Sequence, residues 1–263
     1  QQAAYSLIEE KKRPEVHLKI GREMLKRISE EELEEHIFGI VDQLNLGSGL
    51  ITDETEREKI AQLNLLAGKK AKLSAAYEPA FDYLKSGIRM LQENCWQKQY
   101  GLTLSLHEEG SEAAYLCGDY EKMGDLAEIV LQYAKTVLDK IKVYEAKIQA
   151  YAAQHKLLDA VKTGLHVSKL LGITFPQKPT KFNVLVAYLR TRFALIGKQP
   201  EFLINLPEMT DPYKLACMRI LKSMGTSFYF AAPELFPLAV FLGVKLSVKY
   251  GNAPGSSILY NGY

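Results

Sequence analysis

The sequence predicts an all-α chain: a right-handed superhelix of stacked antiparallel helix pairs. Three observations carry that expectation. In the stretch Ala61–Leu91, small residues at Gly68 and Ala80 stand twelve positions apart on two apolar helical faces. The same spacing recurs as Gly21/Leu33, Ser111/Met123 and Ile148/Ala160, with first members 47, 43 and 37 residues apart, a period typical of stacked helix pairs. No proline occurs from Ala80 through Phe175, so nothing there breaks a helix. Strand-like alternation is nearly absent. One pair cannot bury its apolar stripe alone, and stacking on neighbours does so.

Taken in order, residues 1–13 read as the helical tail of a preceding module. Pro14 opens a helix with Leu18, Gly21, Met24 and Leu25 on one face. Ser29 and Glu32 form a capping box for the next helix, whose stripe is Leu33, Ile37, Ile40, Val41 and Leu44, ended by Gly47-Ser48-Gly49. Asp53 and Glu56 suggest a second capping box. The Ala61–Leu91 pair bends at Ala75, Ala76 and Tyr77, a third pair spans 96–138 with its bend at Gly118, and a fourth spans 139–172 with Gln154-His155 at its bend. These pairs, 14–172, form the regular array.

Residues 173–263 read as an irregular continuation. A helix is expected over 182–196, then a joint at Pro200 and at Leu206–Pro212. Thr210 or Asp211 is a good N-cap and Pro212 suits the first helical position, so a helix runs from there to about Phe230. Another is expected from Pro233 to Tyr250, closed by Gly251, and a last one begins at Asn252-Ala253-Pro254. Both ends read as cut, which makes the chain a fragment of something longer.

Bulk properties narrow the function. With 33 basic and 31 acidic residues the net charge is +2, so neither a nucleic-acid nor a membrane footprint stands out. The charge is uneven: residues 1–60 hold 14 acids and 9 bases, whereas 211–263 hold only Asp211 and Glu234 against five bases. The run Leu235–Leu246 is too interrupted, by Pro237, Gly243 and Lys245, to span a membrane. Cys95, Cys117 and Cys217 lack metal spacing and suit reduced thiols in a cytoplasmic setting.

No catalytic residue, metal ligand set or cofactor site is read from the chain. His107-Glu108-Glu109-Gly110-Ser111 begins like a zinc-protease helix, but Ser111 stands where the second histidine belongs. Gly47-Ser48-Gly49 lacks the lysine of a phosphate loop and reads as a helix-ending turn. The acids at 30–35 and 54–58 fall in first helical turns, where they complement the helix dipole. Lys69, Lys70 and Lys72 form the densest basic run, read either as a solvated face or as part of a binding groove. The aromatic segment Phe228–Tyr250 reads as packing for a further repeat, or as a dimerisation surface.

Gly118-Asp119-Tyr120-Glu121-Lys122, preceded by small residues, resembles the bend of a tetratricopeptide (TPR) repeat. Gly68, Tyr77 and Ala80 match that family's small, aromatic and small positions, and Tyr120 matches the aromatic again. Met123 and Leu157 depart from the pattern, the family's first-helix tryptophan is missing, and the period exceeds about 34 residues. The pairs thus resemble a degenerate TPR-like array with longer helices. By TPR geometry, Arg22, Lys26, Lys69, Lys72, Glu112, Tyr115 and Gln149 would line the concave face as candidate binding residues. That line runs from basic to acidic to neutral, and lacks the pattern that holds a peptide carboxylate.

A second resemblance covers almost the whole chain. Its strings are Ala3-Ala4-Tyr5-Ser6-Leu7-Ile8, His17-Leu18-Lys19-Ile20-Gly21-Arg22, Val41-Asp42-Gln43-Leu44-Asn45, Ala67-Gly68-Lys69-Lys70-Ala71-Lys72, Leu206–Pro212 and Lys249-Tyr250-Gly251-Asn252-Ala253-Pro254. They are similar to large, often cyanobacterial, multidomain signalling proteins. Those join a serine/threonine kinase, an AAA/STAND-type ATPase, a TPR-like helical region, a GAF domain and a sensor histidine kinase. The resemblance implies the helical region after the ATPase, comparable to the MalT-like superhelix. It further implies a non-enzymatic interaction segment whose partners are proteins: flanking domains, a signalling partner or a second copy. A passive spacer is the rival reading, and an all-α enzyme the rival from another class.

Overall fold

Helices follow one another through the described residues, joined by bends of a few residues in the helix pairs and by longer connections at 171–180 and before Pro212. The computed structural model describes residues 9–197, 202–203 and 205–263. The expected helical tail at 1–13 lies mostly outside them, as do the first string of the second resemblance and the Pro200 end of the expected joint. Among the described residues there is no β-strand, only an isolated parallel bridge between Glu208 and Asn252. The chain divides into two units, Gln1–Tyr133 and Ala134–Tyr263.

The first unit holds three helix pairs: α1 (Arg13–Arg27) with α2 (Glu30–Leu46), α3 (Glu54–Leu73) with α4 (Tyr77–Met90), and α5 (Tyr100–Leu116) with α6 (Tyr120–Tyr133). A helical turn, Cys95–Lys98, precedes α5. The Ser29/Glu32 capping box forms in full. That at Asp53 forms by half: Asp53 accepts from the Glu56 N–H at 2.7 Å, while the Glu56 carboxylate turns to Arg22. Ile37, Ile40, Val41, Leu44, Ile60, Leu84 and Leu106 make the centre of the core. Removing one such side chain costs about 2–5 kcal/mol.

The repeat register is written in the bends. Ala75, Gly118 and His155 all take a left-handed backbone conformation, at φ 57°, 78° and 59°, and each lies seven residues after its anchor Gly68, Ser111 or Ile148. The Ala76, Asp119 and Lys156 N–H groups donate back to Ala71, Ala114 and Tyr151 at 2.9, 2.9 and 2.8 Å. This is the Schellman closure, which satisfies carbonyls left free at a helix end. The twelve-residue partners also meet. A methyl at Gly68 would stand 3.2 Å from the Ala80 carbonyl and 2.5 Å from Leu84. The Ser111 hydroxyl donates to the Met123 carbonyl at 3.1 Å.

The first pair departs from this register. Its bend is the extended residue Ile28 followed by Ser29, with no left-handed residue. Gly21 is consequently occupied by Leu44, 2.8 Å from where its Cβ would be, rather than by Leu33.

The second unit has α7 (Ile141–Ala153) paired with α8 (Leu157–Leu170), then α9 (Lys181–Leu195), α10 (Pro212–Ala231), α11 (Phe236–Tyr250) and α12 (Ser256–Asn261). Helix α8 packs on α10, passing over α9, which packs on α11. Asp211 caps α10, accepting from Tyr213 and Lys214 N–H groups at 2.9 and 3.1 Å. Helix α11 begins at Phe236, three residues later than Pro233 implies, because Pro237 takes its first turn. The joint at Leu206–Pro212 is tied to the end of α11: Asn252 N–H donates to Pro207, and Met209 N–H to Asn252, at 2.7 and 2.8 Å.

Candidate interaction surface

The candidate residues of the first unit sit on α1, α3 and α5, the leading helices of its three pairs. Arg22 on α1 reaches Glu56 on α3 through two hydrogen bonds of 2.7 Å, from Nε and Nη2 to the two carboxylate oxygens. This fork is bidentate, but it lies near the surface, where such a pair contributes about 0–1 kcal/mol.

One residue before the end of α3, Lys72 reaches across to α5. Its ammonium donates to Glu109 and to Glu112, each at 2.5 Å. Glu109 and Glu112 are three residues apart and therefore share a helix face. Lys72 and Glu109 side chains are only 16% and 11% exposed, and Glu112 35%. Burial alone pushes the Lys72 ammonium down. The hydrogen bonds and charges of Glu109 and Glu112 outweigh it, so its pKa stands above the ordinary lysine value. The triad is thus a charged clamp between consecutive pairs, and Lys72 is neither a free cation nor a neutral nucleophile.

The remaining candidates do not join it. Lys26 pairs within its own helix with Glu23 at 3.1 Å, and Lys69 is exposed. Lys70 donates to the Glu34 carbonyl and lies over the Phe38 ring, 5.3 Å from its centroid, so the basic run splits three ways. The Tyr115 ring leans on Tyr120 at 6.5 Å, and burial raises its phenol pKa. Gln149 is exposed on α7, in the second unit.

Reasoning from the sequence missed Glu109, and it missed an aromatic cluster around His107. That ring is buried, with Nδ1 2.8 Å from the Thr103 carbonyl, and 5.3 Å from Trp96, which stacks on Tyr133 at 5.2 Å. Burial lowers the His107 pKa, the Thr103 bond opposing it in part. Tyr83 is a second fixed polar contact: its hydroxyl donates to Asp42 at 2.8 Å, and burial and that bond raise its pKa. Among the described residues no group of three or more His, Cys, Asp or Glu side chains is placed to hold a metal ion. No helix there is long and apolar enough to cross a membrane.

Concave space lies elsewhere. A cavity of about 220 Å³ between α4 and α6 is lined by the apolar Phe81, Ile88 and Leu126 and by the charged Lys85, Arg89, Lys122 and Asp125.

The chain is similar to a hybrid signal transduction histidine kinase of Dictyostelium discoideum. The two are 22% identical over 303 aligned positions, which cover 99% of this chain and 9% of that protein. The chain therefore spans less than a tenth of its relative's length. No family model matches the chain, and no solved structure matches it.

Proposed function

We propose that this chain is a non-catalytic interaction and regulatory segment of a multidomain signal-transduction kinase. Its helix pairs stack as a degenerate, TPR-like right-handed superhelix. Binding of a ligand or protein partner biases the neighbouring ATPase and kinase domains. The observation that carries the reading is the similarity to a histidine kinase along 99% of this chain within only 9% of the larger protein. Repeat registers at Ala75, Gly118 and His155 support the stacked array.

Coupling of this kind requires a partner that prefers one arrangement of the segment over another. The test is titration of the 263-residue chain with the flanking domains of such a kinase, each produced separately, by calorimetry. Saturable binding with altered nucleotide turnover is the expected result; no binding and unchanged turnover would sink the proposal.

A specific observation favours a second reading, a passive spacer. Arg22 and Lys72, two of the cations proposed to line the groove, are already engaged by Glu56, Glu109 and Glu112. That row would then only hold successive pairs together. Variants that release Lys72 without changing partner affinity would support the spacer role for this row.

A further inference from the structure

Helix α9 is apolar on two opposite faces. One face packs on α11: Thr191 is buried and its hydroxyl lies 3.4 Å from the Phe241 carbonyl, and Tyr188 meets the Phe241 ring at 5.8 Å. The other carries Phe182, Leu185, Leu189 and Phe193, continued by Ile196, at spacings of three and four residues. At 3.6 residues per turn these align in one stripe. All five are exposed, by 44% to 70%. A helix with apolar residues on two opposite faces is ordinarily covered on both.

Two further observations bear on this stripe, one on its being open and one on the chemistry of what covers it. The first is packing. Among the described residues, α7, α8, α10 and α11 each pack on at least two other helices, whereas α9 packs principally on α11. The open face of α9 has the dimensions of a helix–helix seam of about four turns, near 21 Å at 1.5 Å per residue. The second is charge. Between Asp159 and Glu201 the chain has seven Lys or Arg and no Asp or Glu. On α9, Lys181 and Arg192 fall on one margin of the stripe and Arg190 on the other. Beside Arg190, a cavity of about 230 Å³ against α11 also holds Lys245 and no acid in its lining. A second copy of α9 would set like charges against each other across the seam, which is destabilising.

We infer that the outer face of α9 is a docking site for an acidic amphipathic helix, whose apolar stripe covers Phe182, Leu185, Leu189 and Phe193 and whose flanking carboxylates meet Lys181, Arg190 and Arg192. This mode, an amphipathic helix read through anchors at i, i+3, i+4 and i+7, stands on the surface of the second unit and is independent of the kinase reading above.

The probe is a fluorescein-labelled four-turn peptide with a leucine stripe flanked by glutamates, titrated onto the intact chain and followed by anisotropy. The expected result is saturable binding, weakened at least about tenfold when the glutamates are replaced by lysines. The pair Leu189→Asp with Phe193→Asp, both exposed, abolishes binding while leaving the helical circular dichroism unchanged. Should that pair disturb folding, Arg190→Glu with Arg192→Glu decides: it is expected to invert the preference toward the lysine peptide. Failure of the glutamate peptide to bind, or binding indifferent to both pairs of substitutions, overturns the inference. So does light scattering showing a dimer that Phe193→Asp dissolves, which assigns the face to a second copy. Phosphatidylserine vesicles that bind through Phe193 where the peptide does not would assign it to a membrane surface and overturn it equally.

Discussion

Replacing Lys72 by alanine should destabilise the first unit more than any other single charge removal on its leading helices. The Lys72 side chain is 16% exposed and its ammonium holds Glu109, itself 11% exposed, and Glu112 at the margin. Without it, a carboxylate desolvated by the fold loses the ammonium beside it, and breaking a buried pair costs about 3–5 kcal/mol. Because Glu112 retains access to water, the lower end applies, about 3 kcal/mol. With a urea slope of about 2 kcal/mol/M for a unit of this size, the midpoint falls by about 1.5 M. Trp96, the single tryptophan, stacks on Tyr133 within the same unit, so its fluorescence reports this unfolding selectively. Lys72→Met combined with Glu109→Gln and Glu112→Gln should recover most of the loss, since the buried charges go together. A Lys72→Ala midpoint within about 0.3 M of the parent would refute the clamp. The raised Lys72 pKa also fixes a sign: its stabilisation is present below the unfolded lysine value, near 10.4, and is lost as pH rises through the folded one.

The bends and the buried ring yield further expectations. Ala75→Gly should stabilise the first unit by about 0.5–1 kcal/mol, because glycine takes the left-handed conformation without penalty, and Gly118→Ala should cost about 1 kcal/mol in urea denaturation. Gly68→Ala, whose methyl would stand 2.5 Å from Leu84, should destabilise by about 1–3 kcal/mol. Gly124→Ala, with nothing within 4 Å in α6, should stabilise by about 0.5–1 kcal/mol. The His107 pKa is lowered, so the unfolded state takes up the proton first. Stability is therefore full above about pH 6.5 and declines as pH falls toward the folded value. The Trp96 urea midpoint should drop between about pH 7 and about pH 5, and His107→Gln should flatten that slope.

Much of the helical order was legible because it rests on local rules. Pro14, Ser29, Asp53 and Asp211 mark helix starts by chemistry that acts within one turn, and the anchors at Gly68 and Ser111 mark where helices approach closely. The first pair misled because Gly21 satisfies the spacing while Ile28 replaces the left-handed bend, which moves the opposing helix until Leu44 fills the gap. Within the candidate surface, the sequence placed Lys72 and Glu112 on leading helices, as two members of one candidate line. Their mutual neutralisation was not legible, since it depends on side chains crossing between pairs. Glu109 left a readable signal, an acid one turn before Glu112 on the face opposite Lys72. The stripe on α9 was not legible as open, because a helix with two apolar faces reads as buried whichever side its partner is missing from.

The proposed role is tested most directly by phosphoryl transfer in a multidomain kinase carrying this segment. Kinase output would be compared between the parent, Lys72→Ala, and Leu189→Asp with Phe193→Asp, each checked for an intact helical signal. An interaction segment that biases its neighbours predicts a change in output of at least about threefold, close to 0.7 kcal/mol of coupling, in one or both variants. Output unchanged in both would contradict it and leave the chain a spacer.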